Sequence, residues 1–357
     1  MNREGRISII ASALVAVAAA CSSSSKSTSG TAPASTVDAS GPSADASFLS
    51  SVDAQSVRDV GGGSDVQIQL DTGTTPASDA GSANSGDLES GVEGGADARV
   101  TSDSGPTAHW MPAKNTTFYW DLQNAPPDNS RNVGAYDIDG WNNSASEVTA
   151  LHALGIKVIC YMDVGTYEPG RPDSNSFPSA LKGAAVSGWP GELWLDVRAS
   201  GPSYAELQAI MLARFKACQA KGFDAVEPDN LDSYENNPGF STTAEDQLTY
   251  DEWVAETVHS LGMAVFQKND LGQISTLVTY FDGILDEECS EYSECSALAP
   301  YVAANKPAWD AEYTDDGETT AKFCAVDAKA GITGVLFSLA LDGTEFEPCA
   351  DDVGKQN

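Results

Sequence analysis

The chain has 357 residues, and its 52 acidic against 19 basic side chains leave a formal charge of −33. Such a surface argues against nucleic acid and anionic membrane as partners and would concentrate a cationic ligand. Solubility in a salty or acidic exterior would produce the same excess, so charge alone does not choose between them.

In chain order, Arg3 and Arg6 precede an apolar run over residues 7–20, and Cys21 follows. That run is too short for a stop-transfer helix and predicts a signal peptide over 1–20. Ala18, Ala19 and Ala20 directly before Cys21 resemble a bacterial lipobox, whose cysteine is lipidated after cleavage. Ser22 and Ser23, with no acidic neighbour, resemble the sorting context of Gram-negative lipoproteins held at the outer membrane. The expectation is an exported outer-membrane or cell-surface lipoprotein that touches membrane only through its anchor. Residues 21–108 are rich in Ser, Ala, Gly, Thr and Asp, with Phe48 the only aromatic. They are expected to form a disordered linker, because too little apolar surface is available to offset chain entropy.

A single domain is expected over 109–357, since all seven Trp and all eleven Tyr lie from Trp110 onward. From Trp110 it holds 39 acidic and 14 basic residues, and a monomer is expected. Short apolar strands alternate with helical stretches, the pattern of a parallel α/β fold. Strands are predicted at 117–123, 135–139, 157–165, 193–198, 223–229, 263–270, 281–288, 306–313 and 333–339. Helices are predicted over "SASEVTALHALG", "SYAELQAIMLARFKACQAKG" and "TAEDQLTYDEWVAETVHSLG", each closing on glycine. Nine strands exceed an eightfold barrel by one. "LWLDVR" (193–198) is the expected auxiliary, because no helix separates it from the loop before it.

Residues two apart on a strand share a face. This groups Tyr119 with Asp121, Asp137 with Asp139, and Tyr161 with Asp163. It also groups Glu227 with Asp229, Leu285 with Glu287, and Asp310 with Glu312. The polar face of these strands is expected at the C-terminal mouth of a barrel, where active sites sit. Cys160 then faces the covering helices. Six cysteines after Cys21 suggest three disulfides out of fifteen possible pairings. Spacing favours Cys289–Cys295 and Cys324–Cys349, and strand parity favours Cys160–Cys218. His152 and His259 sit in helical patterns and are expected at the surface or in the core, not as ligands. Asp224 and Asp232 are expected to cap or end the strand loop around "GFDAVEPDN".

Six ordered blocks, "VICYMDVGTYEPGRPD", "GWPGELWLDVR", "GFDAVEPDN", "QKND", "DEECSEYSEC" and "DAEY", together resemble glycoside hydrolase family 114, the endo-α-1,4-polygalactosaminidases. The resemblance spans roughly 110–346. It implies a (β/α)8 TIM-type barrel, with a possible extra strand, that cleaves α-1,4-linked galactosamine polymers with two carboxylates. The matching positions are Asp229 and Glu287. Parity separates Glu287 from Glu288, although the run Asp286–Glu287–Glu288 leaves a one-residue alternative. Glycoside cleavage commonly uses one protonated carboxyl and one carboxylate as base or nucleophile. Glu287 is expected as the acid and Asp229 as the nucleophile or base.

Tyr119, Asp121, Asp139, Tyr161, Asp163, Asp196, Glu227, Lys268, Asn269, Asp310 and Glu312 are the expected substrate-binding set, the acids attracting a cationic amino-sugar polysaccharide. Glu227 could instead pair with Lys268 as a structural ion pair. No cofactor and no metal are expected. Two alternatives differ in class: a carbohydrate-binding lipoprotein without turnover, and a hydrolase using Mg²⁺ or Ca²⁺ on oxygen ligands. An assay for turnover separates the first, and survival of activity in EDTA removes the second.

Overall fold

Eight apolar runs, most of them followed by a helical stretch, fold as eight parallel strands wrapped into one nearly closed barrel. The structure, a computed structural model, describes residues 109–349. The expected signal peptide, the lipidation site Cys21 and the linker over 21–108 lie outside the described residues.

The strands are β1 (Phe118–Asp121), β2 (Ala135–Asp139), β3 (Lys157–Asp163), β4 (Thr166–Tyr167), β5 (Lys182–Ala185) and β6 (Leu193–Leu195). They continue with β7 (Ala225–Asp229), β8 (Ala264–Lys268), β9 (Gly283–Glu287), β10 (Ala308–Tyr313), β11 (Thr333–Phe337) and β12 (Phe346–Pro348). The helices are α1 (Ala145–Ala153), α2 (Tyr204–Lys221), α3 (Ala244–Ser260), α4 (Ile274–Leu277), α5 (Ala299–Ala303) and α6 (Thr320–Ala330). The large sheet runs β1-β2-β3-β7-β8-β9-β10-β11-β12, parallel throughout except for β12, which returns antiparallel on β11. "LWLDVR" supplies β6 of a separate three-stranded sheet, β4-β6-β5, inserted between β3 and α2. The ninth strand of the barrel sheet is therefore β12, which has no apolar run to announce it.

Local chemistry sets the helix ends. Thr243 and Asp246 close a capping box at the start of α3, satisfying two backbone donors left over by the first turn. At the other end of α2, Gly222 takes φ 89°, a conformation that costs glycine nothing.

Side chains from strands that are not neighbours can meet only across the barrel axis, and three do. Phe118 of β1 stacks on Trp309 of β10 with centroids 4.5 Å apart, and Phe266 of β8 stacks on the same indole at 4.6 Å. This ring sandwich is the floor of the barrel core. Phe337 fills the seam between β1 and β11, 5.8 Å from Phe118 and 6.4 Å from Trp120. Above that seam the Leu122 amide donates to the Leu341 carbonyl at 2.9 Å.

Cys160 leaves the outer face of β3 and joins Cys218 of α2, while Cys289 joins Cys295 and Cys324 of α6 joins Cys349. Three disulfides in one domain belong to a chain that matures in an oxidising compartment, so the protein is exported. Among the described residues no helix is long and apolar enough to cross a membrane.

Candidate active site

Three consecutive barrel strands end in ionisable groups: β7 in Asp229, β8 in Lys268 and β9 in Glu287. The chain turns left-handed immediately after each, at Asn230 (φ 65°), Asn269 and Asp270 (φ 51° and 47°) and Glu288 (φ 62°). Left-handed backbone is uncommon outside glycine and concentrates at functional sites. Here it stops each strand abruptly and aims the preceding side chain into the mouth. The turn after β3 packs so closely that a Cβ on Gly165 would lie 1.8 Å from the Asn230 carbonyl oxygen, so only glycine fits there.

Lys268 links the two carboxylates. Its Nζ lies 3.1 Å from Asp229 Oδ1 and 2.6 Å from Glu287 Oε2, and its side chain is only 4 % exposed. Tyr161 donates its hydroxyl to Asp229 Oδ2 at 2.8 Å, and the Asn230 amide donates to Oδ1 at 2.9 Å. Around Glu287, Tyr313 donates to Oε1 at 2.5 Å and Asn269 Nδ2 donates to Oε2 at 3.0 Å. Asn269 also accepts the Glu287 amide at 3.0 Å, so one side chain fixes both backbone and carboxylate.

Burial pushes the Glu287 carboxyl up, but the Lys268 charge and the donors from Tyr313 and Asn269 outweigh it and hold the group below its ordinary range. Burial likewise disfavours the Lys268 cation, and Asp229, Glu287 and Glu227 reverse that, raising it well above an ordinary lysine. The Lys268 cation and the Glu287 carboxylate therefore hold each other charged.

The insert between β3 and α2 builds one wall of an open cleft above the trio. Trp189 and Glu192, between β5 and β6, face it together with Glu168 and Arg171. Arg171 donates to Glu168 Oε1 at 2.7 Å and to Asp139 Oδ2 at 2.7 Å, tying the insert to the end of β2. Arg214 of α2 grips Asp173 through both carboxylate oxygens at 2.7 and 3.0 Å. Burial, then the nearby charges of Glu168 and Asp229, push the Glu192 carboxyl up to about 7. Eight acidic residues against two basic ones line the cleft, which settles the sign of its field.

Of the residues expected from the sequence, Asp229, Glu287, Asp139, Tyr161, Asp163, Lys268 and Asn269 converge on this cleft. Asp163 is a bracket: it accepts the Gly165 and Thr166 amides at 3.0 and 2.8 Å, the Thr166 hydroxyl, and Asn230 Nδ2 at 3.0 Å. The others lie elsewhere. Phe118 and Trp120 occupy the inner face of β1, so Tyr119 and Asp121 point outward. Tyr119 there packs on Phe346 and Tyr136, and Asp121 accepts from Asn124. The same holds for β10, where Trp309 and Tyr313 face inward. Asp310 and Glu312 face outward and accept the Cys289 and Ser290 amides at 3.1 and 2.7 Å. Asp196 is buried and pairs with Arg198 through two contacts of 2.7 and 2.9 Å. Glu227 does face inward but is fully buried below the cleft, and makes no hydrogen bond or ion pair with Lys268 within 4.0 Å. Asp224 is a structural acceptor for the Val158 amide and Lys157.

The expected set omitted Arg171, Glu168, Glu192, Trp189 and Tyr313. All but Tyr313 belong to the insert, inside blocks "TYEPGR" and "GWPGE" whose loop conformation hides which way they point. Tyr313 was legible only if the inner face of β10 had been taken as the aromatic one.

Glycoside-hydrolase family GH114 matches residues 99–353 of the chain. Aspergillus fumigatus Ega3, in its complex with galactosamine, is similar at 31 % identity and TM-score 0.62, covering 68 % of this chain and 98 % of that one. The glycoside hydrolase domain of PelA from Pseudomonas aeruginosa shares the fold at 15 % identity and TM-score 0.50, again over 68 % of this chain and 98 % of that one. No curated protein sequence matches. A family match across most of the chain, on a barrel with two carboxylates at its mouth, leaves one conclusion: the chain belongs to glycoside hydrolase family GH114 and is a glycoside hydrolase.

Proposed function

We propose that this enzyme cleaves α-1,4-galactosaminidic bonds within an amino-sugar exopolysaccharide, with Asp229 and Glu287 as the reacting carboxyls. The observation that carries the reading is Lys268 held between them. Its contacts of 3.1 and 2.6 Å place Asp229 Oδ1 and Glu287 Oε2 no more than about 5.7 Å apart, the two contacts laid end to end. Carboxyls about 5–5.5 Å apart suit covalent double displacement, whereas inversion needs roughly 6.5–9.5 Å for an intervening water.

Asp229 attacks the anomeric carbon as the glycosidic C–O bond breaks, and the leaving oxygen takes the proton of Glu287. Glu287, now ionised, removes a proton from water, whose oxygen displaces Asp229 and restores both groups. Glu287 is the more recessed of the two, 9 % exposed against 18 % for Asp229, which suits a proton donor shielded from bulk solvent. Lys268 holds Glu287 below its ordinary range, so the acid is loaded as Lys268 shifts towards Asp229 or as the medium acidifies.

Selectivity for amino sugars is supported by the acidic wall. Glu168 Oε2 is buried without a hydrogen-bond partner, and Glu192 stands beside it. A substrate ammonium would satisfy the first and ionise the second. Trp189 and Trp120 offer apolar faces to sugar rings. The 31 % identical Ega3 is seen with galactosamine, which agrees with this reading. The lipobox-like start of the chain supports attachment through Cys21 at the outer membrane or cell surface, with the polymer as a diffusible or surface-bound partner of a monomer.

The test is incubation of the full chain with partly deacetylated α-1,4-galactosaminogalactan and mass spectrometry of the products. Galactosamine oligomers are expected, absent from Asp229→Asn and Glu287→Gln. An intact polymer, or equal cleavage by both variants, overturns the proposal. Mass spectrometry of the membrane-extracted protein should also show a diacylglyceryl group on an N-terminal Cys21 peptide.

A further inference from the structure

Two of the three histidines in the chain meet at the opposite end of the barrel from the cleft. His109 lies just before β1, and His259 in the last turn of α3. Their rings stack with centroids 4.4 Å apart and planes 15° from parallel. Both direct Nε2 at Asp282, the residue before β9, whose side chain is 5 % exposed. His259 Nε2 lies 2.8 Å from Oδ2, and His109 Nε2 lies 3.4 Å from Oδ1. The Val265 amide of β8 donates to Oδ2 at 3.0 Å and so orients the carboxylate. One donor atom from each of the three side chains falls within 4.8 Å of the others.

The 3.4 Å contact is long for an N–H···O hydrogen bond, which prefers 2.7–3.2 Å. It is, however, the edge expected between ligands of a tetrahedral zinc ion, given metal–nitrogen and metal–oxygen bonds of about 2.0–2.2 Å. Hydrogen bonding alone would require both stacked rings to carry a proton on Nε2. A divalent ion would instead accept both lone pairs and the Oδ1 charge together. Oδ2 holds the Val265 amide and, without the ion, His259 Nε2 at 2.8 Å, so binding would turn that ring from Oδ2 to the metal and leave Oδ2 on the amide as the outer support that ligating carboxylates commonly have. His109 and His259 are 21 % and 29 % exposed, so water can reach the fourth position. Lys306, whose cation also acts on this carboxylate, is occupied by the carbonyls of Val278 and Phe281 at 2.8 and 2.5 Å.

We infer that His109, His259 and Asp282 form a structural binding site for a borderline divalent cation, Zn²⁺ in the first instance. The ion fastens the point where the chain enters the domain to α3 and β9. It stands at the N-terminal ends of the strands, away from Asp229 and Glu287, so it takes no part in glycoside cleavage. His259 lies partly exposed in the last turn of α3, as its helical pattern predicts, and the ligand role is what this inference adds.

The test uses the full chain, chelator-treated, with any Cys21 thiol that carries no lipid alkylated to remove a competing ligand. Calorimetric titration should show one saturable zinc equivalent, and excess zinc should raise Tm by roughly 5 °C. Cobalt in place of zinc should give the visible absorption of a four-coordinate ion. His109→Ala and His259→Ala should each weaken zinc by more than about tenfold, the cost of losing even a hydrogen-bonding partner of a ligand and so a floor for losing the ligand itself, while His152→Ala should not. Calcium and magnesium should have no effect, since they prefer all-oxygen sites. His109→Ala removes a side chain at the start of the domain and decides the matter if His259→Ala misfolds. No saturable zinc binding, or binding unchanged in His109→Ala, overturns the inference whatever the polysaccharide assay shows.

Discussion

Asp137 and Glu227 share the barrel interior below Lys268, both fully buried, and no hydrogen bond reaches any of their four oxygens. Burial raises both carboxyls well above their usual range, and Asp137 adds its own charge to the field on Glu227. Like charges so close disfavour the doubly ionised pair, and burial without hydrogen-bond donors acts in the same direction on each.

That arrangement fixes the sign of the pH dependence of stability. A carboxyl raised in the folded state stabilises fully below its unfolded value, near 4. It loses that contribution as pH rises through the folded value. Asp137, Glu227 and Asp163 act in this direction, as do Glu192 and Glu312, both pushed up to about 7. Glu287 acts oppositely, losing its contribution as pH falls through its lowered value. Thermal unfolding should therefore show a higher Tm at pH 5 than at pH 8, and Glu227→Gln should flatten the difference. A Tm that climbs towards pH 8 would contradict the account.

The reacting pair predicts a sharp contrast between adjacent residues. Asp229→Asn and Glu287→Gln should each lose at least roughly a hundredfold in kcat, the lower end for general acid–base groups. Glu288→Gln should stay active, because the left-handed turn at Glu288 sets it against Asp316, away from Lys268. Steady-state rates on a defined galactosamine oligomer decide it, and an inactive Glu288→Gln beside an active Glu287→Gln would move the reacting position by one residue.

Lys268→Met removes the shared counter-ion and leaves two carboxylates facing each other. Breaking one side of a buried ion pair costs about 3 kcal/mol or more. Denaturant unfolding at pH 7 should show that loss, and it should shrink at pH 4.5 as one carboxylate takes up a proton. A loss independent of pH would mean that Lys268 contributes packing alone.

The activity profile should lean to the acid side. Because Lys268 holds Glu287 below the ordinary range, the fraction of free enzyme carrying the acid proton falls as pH rises, and kcat/KM should fall with it. A profile flat to pH 9 would instead assign Glu287 as the nucleophile.

Disulfide removal should follow loop length. Cys160–Cys218 spans 58 residues and Cys289–Cys295 only 6. Chain-entropy reasoning gives about 4 kcal/mol for the first and about 2 for the second. Paired alanine variants measured by urea unfolding test the ordering.

Much of this was legible in the sequence. All eight barrel strands appear as short apolar runs, and Cys160 was placed on the helix side by counting in twos. Alternation is uninformative where both faces of a strand are buried. In β1 and β10 the outward faces carry Tyr119, Asp121, Asp310 and Glu312, polar groups satisfied by loops that pack over them. Alternation cannot say which of two buried faces points to the axis; only the stacking of Phe118, Phe266 and Trp309 across the barrel does. The cleft wall was hidden for another reason: Arg171, Trp189 and Glu192 sit in a long insert with no period to read.

The insert between β3 and α2 also separates two inheritable properties. Asp229, Lys268 and Glu287 belong to consecutive strands of the barrel, while Glu168, Arg171, Trp189 and Glu192 belong to one excursion with its own small sheet. Substitutions within that single stretch can reshape the cleft wall without touching the strand ends that carry Asp229, Lys268 and Glu287. The wall and the floor of the cleft are thus separable parts of one chain.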